Sequence, residues 1–451
     1  MRATQLSMDG QKTPEPVIDW SFFSMAKYVL AARTDDPRVM TGEEWDGFAA
    51  RLGEAAELVR GAIPATAVDR AGAFRGLLQL LQFGLERLLG AADPLRPVFS
   101  RPWPVYLYDY GAGNPDAVYH TVPLRDDVTY RVSGTLGNAA FTSFEFFDGV
   151  RQAGSLLVDD LRPDAAGRFE VLFGPTERPG HWLRIMDGTG YLLTREFFAD
   201  WAAATPARLQ IECLDAPETS WPIMTADRVA KEIDALGQWL VATVATFTRA
   251  HADGMAKYPN GFEPQASRAN SDLPAIYHGF WDLSPDECLL IETPEPRGAY
   301  WGFQLSNGLW NTLDHANRQT SLNPAQAHVD ADGMIRIVLA HSDPGARNWL
   351  DTLGHRQGAI HVRLGPPPRA EADPPRRHRS LAETRDDWMS KWADSQEETP
   401  AAPVHPSPVA RVVKLADLDA ELPPGTARVD RAERRRSLDE RLRQITWLQR
   451  S

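Results

Sequence analysis

The chain opens in a helical rhythm and changes to a strand rhythm about a hundred residues in. From Trp20 to Leu89 apolar residues recur at helical spacing. Thr41-Gly42-Glu43-Glu44 has the form of a helix start, and Trp45, Phe48, Leu52, Ala55, Leu58 and Val59 follow in register. A second helix is carried by Phe74, Leu77, Leu78, Leu81, Leu85, Leu88 and Leu89, with Arg75, Gln79, Gln82 and Glu86 on the other side. Leu80 and Phe83 widen its apolar face, which predicts burial on more than one side. Asp93-Pro94 ends it.

Between Pro104 and Leu214, short segments rich in aromatic and β-branched residues alternate with Gly, Asn and Asp. Thr129–Ser133, Phe141–Phe147, Phe169–Phe173, His181–Met186, Tyr191–Thr194 and Arg208–Leu214 read as strands, with hairpin signals at Gly137-Asn138 and Asp187-Gly188. Short turns between successive strands indicate an antiparallel sandwich. Thr225 then caps a long amphipathic helix, Asp227–Arg249, striped by Val229, Ile233, Leu236, Leu240, Val244 and Phe247. Strands return at Ala299–Leu305, Ile335–Ala340 and Ala359–Leu364, with a turn at Ala331-Asp332-Gly333. Beyond Gly365 the chain is charged and proline-rich, a linker that cannot bury much. Arg431–Leu448 reads as a terminal helix docked through Leu438, Leu442, Ile445, Trp447 and Leu448.

Composition narrows the class. The 451 residues are 43% hydrophobic and 24% charged, the ordinary globular range, with room for two or three domains. A net charge of -13 argues against general affinity for nucleic acid or anionic lipid. Fourteen Trp can build core or stack on flat, sugar-like ligands. Two cysteines, Cys213 and Cys288, provide neither a disulfide framework nor a metal motif. The N-terminus lacks the apolar region of a signal peptide, and no run approaches the roughly 18 apolar residues of a membrane span. A cytoplasmic setting is expected.

The densest polar stretch is Leu309–His355, with four of the chain's 11 histidines. His341 directly follows a strand, and Asp343-Pro344-Gly345 follows it as a turn. A histidine beside a carboxylate can shuttle protons near neutral pH. The same residues could equally cap a turn and bind a carbonyl. His315, His341 and His355 with Asp314 or Asp351 could hold a metal, but no HExxH, HxH or Cys pair supports one. Ser306, Ser321 and Ser342 lack a GxSxG elbow, and Cys288 sits in an apolar run. Arg318, with Asn317 and Asn323, could clamp an anion or pair with one of the many acids. Asn114-Pro115-Asp116 with Tyr119 could shape a loop, or close the first β domain over a ligand held by the second. Glu145 alternates with Phe144 and Phe146 and faces outward if they face the core. No glycine-rich phosphate cradle occurs.

Tyr300-Trp301, Leu309-Trp310, Leu313-Asp314, Ser321-Leu322-Asn323, Asp332-Gly333, Ala340–Gly345, Asn348–Thr352 and Gly354-His355 together resemble a bacterial family of domains of unknown function, number 1214. Upstream, Asp69-Arg70, Asp93-Pro94, Asn114-Pro115-Asp116, Tyr119 and Tyr130-Arg131-Val132 resemble its long members, and the Asn-Pro-Asp–Tyr element is similar to a partner domain, number 1254. The resemblance covers roughly residues 65–365. It implies jelly-roll-like β architecture and carries no established chemistry.

The expected fold is α+β: a disordered segment (1–16), a helical subdomain (17–100), a first antiparallel β domain (101–220), a connecting helix (221–255), a second β domain (256–366), and a largely disordered tail ending in a short helix (367–451). The expected function is a hydrolase or lyase without metal or other cofactor, acting on a small hydroxylated or apolar metabolite. His341 or His355 would be the acid or base and Asp343 or Asp351 its orienter. Arg318, Asn323, Asn348, Trp349, Trp310, Asn114 and Tyr119 would contact substrate. A non-catalytic ligand-binding or scaffold protein and a metal-dependent hydrolase are the alternatives. The expected partner is a small molecule rather than nucleic acid or membrane, and self-association is left open.

Overall fold

Gly42 sets the geometry at the start of the described chain. At φ +83° it separates α1 (Asp36–Thr41) from α2 (Glu43–Ala62), a left-handed conformation that costs glycine little. The structure, a computed structural model, describes residues 36–86, 93–100, 111–147, 152–185, 188–216, 225–264, 274–298, 300–365 and 407–450. The expectations for residues 1–35, Leu88, Leu89, Met186, Asp187 and the linker 366–406 lie outside them.

Thr66 caps α3 (Ala67–Leu85), its hydroxyl accepting from the Asp69 amide at 3.1 Å. The leucine stripe predicted for this helix is not its most buried side. Leu78 and Leu85 are exposed, whereas Ala73, Gly76, Leu80 and Phe83 are buried. Small residues face inward because polar side chains press on the helix backbone there. A Cβ at Gly72 would lie 2.7 Å from His355 Cε1, and one at Gly76 would overlap the Asn311 amide.

The first sandwich packs a sheet ordered β1-β7-β3-β4 on one ordered β6-β5-β2-β8. Its strands are β1 (Ala117–Pro123), β2 (Tyr130–Thr135), β3 (Phe141–Phe147), β4 (Gln152–Leu157), β5 (Arg168–Gly174), β6 (Trp182–Arg184), β7 (Tyr191–Phe197) and β8 (Arg208–Cys213). Strand alternation sends Phe144 and Phe146 into the core with Tyr130, Val132, Phe169 and Phe173. Glu145 therefore points away, as expected, but it is buried too, because a second apolar layer containing Tyr300 covers that face. Gly137-Asn138 is not a hairpin. It carries the chain from one sheet to the other, and a Cβ at Gly137 would collide with the Thr205 carbonyl.

Thr225 caps α4 (Ala226–Lys257), accepting from the Arg228 amide at 3.2 Å, and the predicted stripe of Leu236, Leu240, Val244 and Phe247 is buried. The helix packs between α1–α3 and the second sandwich. That sandwich comprises β9 (Gly261–Phe262), β10 (Ala275–Asp282), β11 (Glu287–Pro294), β12 (Trp301–Ser306), β13 (Ser321–Leu322), β14 (Met334–Ala340), β15 (Trp349–Asp351), β16 (Gln357–Leu364) and β17 (Val409–Lys414). The sheets run β13-β12-β16-β10-β9 and β15-β14-β11-β17 around a core of Trp281, Trp301, Phe303, Ile337 and Ile360. Pairing is antiparallel except β14–β15 and β5–β6. The fold is α+β.

The C-terminal segment adds β17 against β11, then α5 (Leu418–Glu421) and α6 (Arg431–Arg450). Of the five apolar residues expected to dock α6, Ile445 is fully buried, Leu438 is partly buried and Leu442 is exposed. The docking stripe is Arg434, Leu438, Arg441 and Ile445 at i, i+4, i+7 and i+11, with both arginines buried. Among the described residues, no helix is long and apolar enough to cross a membrane.

Candidate functional site

Parallel pairing of β15 on β14 sets Asp351 opposite Ala340, so His341 and Thr352 leave the sheet side by side. Here a cleft of about 540 Å³ opens, lined by Arg318, His341, Asp343, Trp349, Asp351 and Arg434, among others. The sequence had singled out all of these except Arg434, which α6 supplies together with Leu438.

Most polar groups in the cleft are already engaged. His341 Nε2 faces the Leu283 carbonyl at 3.1 Å, so it carries the proton and donates. Nδ1 then accepts from the Thr352 hydroxyl at 2.7 Å. Asp343 accepts from the Gly345 amide at 2.9 Å and from Arg434 Nε at 3.0 Å. Arg434 also donates to Gln319 Oε1 and the carbonyls of Ala346 and Arg347, and it lies over the Trp349 ring, 5.3 Å from its centroid. The Trp349 indole donates to the Ala340 carbonyl at 3.1 Å. Asp351 accepts from the Leu353 amide at 2.8 Å, and burial pushes its carboxyl above the ordinary range. Its partner is Arg318, at 3.5 Å, whose side chain is 52% exposed. Arg318 is the cleft's most accessible cation.

The remaining nominated residues lie elsewhere. His355 is buried, and its Nδ1 donates to Asp69 Oδ1 at 2.9 Å, away from His341. Leu353 at φ +55° and Gly354 at φ +79° turn the chain so that the two imidazoles diverge. Asn348 ties a loop together, accepting from the His328 amide and donating to its carbonyl, both at 2.7 Å. His315 lies under α6, where burial takes its imidazole down to about 3. Among the described residues no group of three or more His, Cys, Asp or Glu side chains is placed to hold a metal.

Asn114, Tyr119 and Asn323 meet at the seam between the two sandwiches. Asp116 is the hub: it accepts from Tyr300 Oη at 2.7 Å, Trp201 Nε1 at 2.8 Å and Asn323 Nδ2 at 2.7 Å. Burial raises the Asp116 carboxyl, and these hydrogen bonds work against that rise. The Asn114 amide lies 2.9 Å from Tyr300 Oη, and its backbone N–H donates to Tyr119 Oη at 3.3 Å. Arg441 completes the seam, stacking 4.6 Å from the Trp201 centroid and donating to the His315 carbonyl, Gln326 and Ser321. These residues join domains rather than open a pocket.

A third cluster joins Trp310 and Ser306, named separately in the sequence, to His278, His361 and His251, which carry no sequence signal. The sheet face of β10, β12 and β16 opposite the sandwich core carries His278, Ser306 and His361 beside the apolar Phe280 and Ala359, and the helical layer and the 307–311 turn bury it. Register sets His278 opposite His361 and places Ser306 one strand over. Ser306 Oγ lies 2.6 Å from His361 Nε2, and His361 Nδ1 lies 2.9 Å from His278 Nδ1. Trp310, at the strained φ of +60°, brings its indole within 4.7 Å of both imidazole rings. Its turn is held by Asn307 Oδ1, which accepts from the amides of Leu309 and Asn311. Burial, then Arg363, takes His278 down to about 3, and burial, then His278 and Arg363, takes His361 well below its ordinary value. Burial alone takes His251, on α4, to about 4. Neither ring nitrogen of His251 nor the Trp310 indole N–H has a hydrogen-bond partner among the described residues. Residues on three strands, separated by 28 and 55 positions, carry no local sequence signal of this meeting.

Residues 288–369 match the model of a family described as a protein of unknown function, DUF1214; the span includes the cleft residues of both β-strand ends, Ser306 and His361. A solved structure of an uncharacterized protein from Burkholderia cenocepacia is 29% identical, aligning over 85% of this chain and 99% of that one with a TM-score of 0.69. The VPA0106 protein from Vibrio parahaemolyticus aligns over 70% of this chain and 96% of that one, at 12% identity and a TM-score of 0.40. No curated protein matches.

Proposed function

We propose that the protein binds a small hydroxylated molecule in the cleft beside β14 and β15, in a cytoplasmic setting and without catalysing its conversion. The observation that carries this reading is the contrast between His341 and Arg318. Both ring nitrogens of His341 are committed to Leu283 and Thr352, so neither is open to take a proton from a ligand in the cleft. Arg318 keeps half its side chain in solvent beside Asp351. A donor and an acceptor side by side suit hydroxyl groups, which both give and receive hydrogen bonds. Trp349, Leu353 and Leu438 add apolar wall.

The experiment is titration calorimetry of the full chain with a panel of polyols, sugars and hydroxy acids. Binding that Arg318→Gln and Asp351→Asn each weaken tenfold or more supports the reading. Binding indifferent to both variants, or no binding across the panel, removes it. Acid–base hydrolysis or elimination is the second reading, favoured by the raised Asp351 carboxyl facing the same cleft. Turnover of a bound compound that stops in Asp351→Asn would select it.

A further inference from the structure

We propose that Ser306, His361 and His278 form a second, separate site that transfers acyl groups from small esters, with Ser306 as nucleophile, His361 as its base and His278 as the positioning residue. The geometry is that of an activated nucleophile: a hydroxyl within hydrogen-bond reach of an imidazole that a third group orients. Two imidazoles facing each other through their Nδ1 atoms can hold one proton between them. If His361 donates it, His278 carries its own proton on Nε2, and His361 Nε2 is left to accept the Ser306 O–H. Trp310 and His251 hold the buried N–H groups without partners around this pair, the kind of donor that can receive a carbonyl oxygen as it gains charge.

The step balances without a cofactor. Ser306 Oγ bonds to the ester carbonyl carbon, its proton passes to His361 Nε2, and the carbonyl π electrons move to oxygen. Collapse breaks the bond to the leaving alcohol, which takes the proton from His361. Water then adds to the acyl carbon, giving its proton to His361, and Ser306 leaves as the hydroxyl with that proton. Desolvation, then His278 and Arg363, disfavour a charged imidazole here, so His361 is a weak base and slow deacylation is expected.

Ser306 is fully buried, so a substrate enters only when the helical layer of α3 and α4 parts from this sheet face. α3 approaches His355 through Gly72 and Asn311 through Gly76, close contacts that an added methyl would disturb, while its Ala73 and Leu80 join the apolar cluster of Phe280, Trp310 and Ala359.

The test is labelling of the full chain by a fluorophosphonate. Attack forms a Ser306 Oγ–P bond and expels fluoride, and peptide mass spectrometry locates the adduct. The expected result is an adduct on Ser306, slowed about 100-fold or more in His361→Gln. His278→Gln, which can still accept from His361 Nδ1, should label faster than His278→Leu. Gly72→Ala, which pries at α3, should accelerate labelling, and Arg318→Gln in the cleft should not change it. Absence of a Ser306 adduct in both wild type and folded Gly72→Ala overturns the proposal. So does labelling that His361→Gln, folded by circular dichroism, leaves at the wild-type rate.

Discussion

His355 Nδ1 donates to Asp69 Oδ1 across 2.9 Å, joining the loop before β16 to the first turn of α3, 286 residues away in sequence. Asp69 also accepts from the hydroxyl of its own cap, Thr66, at 2.6 Å. Burial raises this carboxyl, but the bonds from His355 and Thr66 more than offset it and leave it below its ordinary value. His355→Ala leaves a buried carboxylate short of its donor. The expected loss is about 3 kcal/mol by urea denaturation. An unchanged midpoint would mean that water or a neighbour replaces the imidazole.

Asp116 holds three donors drawn from both sandwiches. Asn at this position keeps one acceptor oxygen and turns an NH2 toward groups that are themselves donors. Asp116→Asn should lose about 2 kcal/mol or more and lower the calorimetric melting temperature. A change below about 0.5 kcal/mol would show that the carboxyl is protonated in the folded protein and already serves as a donor.

Gly254→Ala is a test of sign. In an exposed helix the change gains about 1 kcal/mol. At Gly254 on α4 the new Cβ would enter the ring of Phe280, which is fully buried on β10. Displacing a packed ring costs about 1–3 kcal/mol, so net destabilisation is expected in the melting curve. A stabilised variant would show that the ring has room to move.

Acid should loosen the helical layer before the sandwich cores. In the folded protein His251 titrates at about 4 and His278 at about 3, with His361 depressed as well. Unfolded histidine titrates near about 6.5. The unfolded chain therefore binds more protons as pH falls below about 6.5, and stability declines from there down through the folded values. It is fully present above about pH 6.5. Each imidazole withdraws about 1.4 kcal/mol per pH unit within that window. The groups facing this cluster are Asp69, Asp282 and Arg363, together with Ser306 and Trp310. His251→Phe should flatten the denaturation midpoint between pH 6.5 and 4. An unchanged slope would assign the acid response elsewhere.

Amphipathic order made much of the fold legible. The Leu236–Phe247 stripe and the Phe144/Phe146 alternation show which side is buried, because one face of each element carries nearly all its apolar area. Alternation fails where a second layer covers the back of a sheet. Glu145 and His361 sit at outward positions and are buried all the same, the first paired with Arg195 at 3.0 Å. The cleft was half legible: His341, Asp343 and Asp351 fall within eleven residues, but the Arg434 wall arrives from a helix whose docking stripe is half arginine. His355 misled because two left-handed residues lie between it and the strand it follows.

The pairing of β17 has a bearing on solubility. Without it, β11 would present unpaired backbone amides and carbonyls along Cys288–Ile291, an apolar run suited to templating another chain's strand. β17 occupies that border and replaces it with Arg411 and Lys414, each ion-paired with acids beside it. Charge on an outermost strand discourages aggregation. The C-terminal segment thus acts as a protective hem that keeps the second sandwich from stacking on its neighbours.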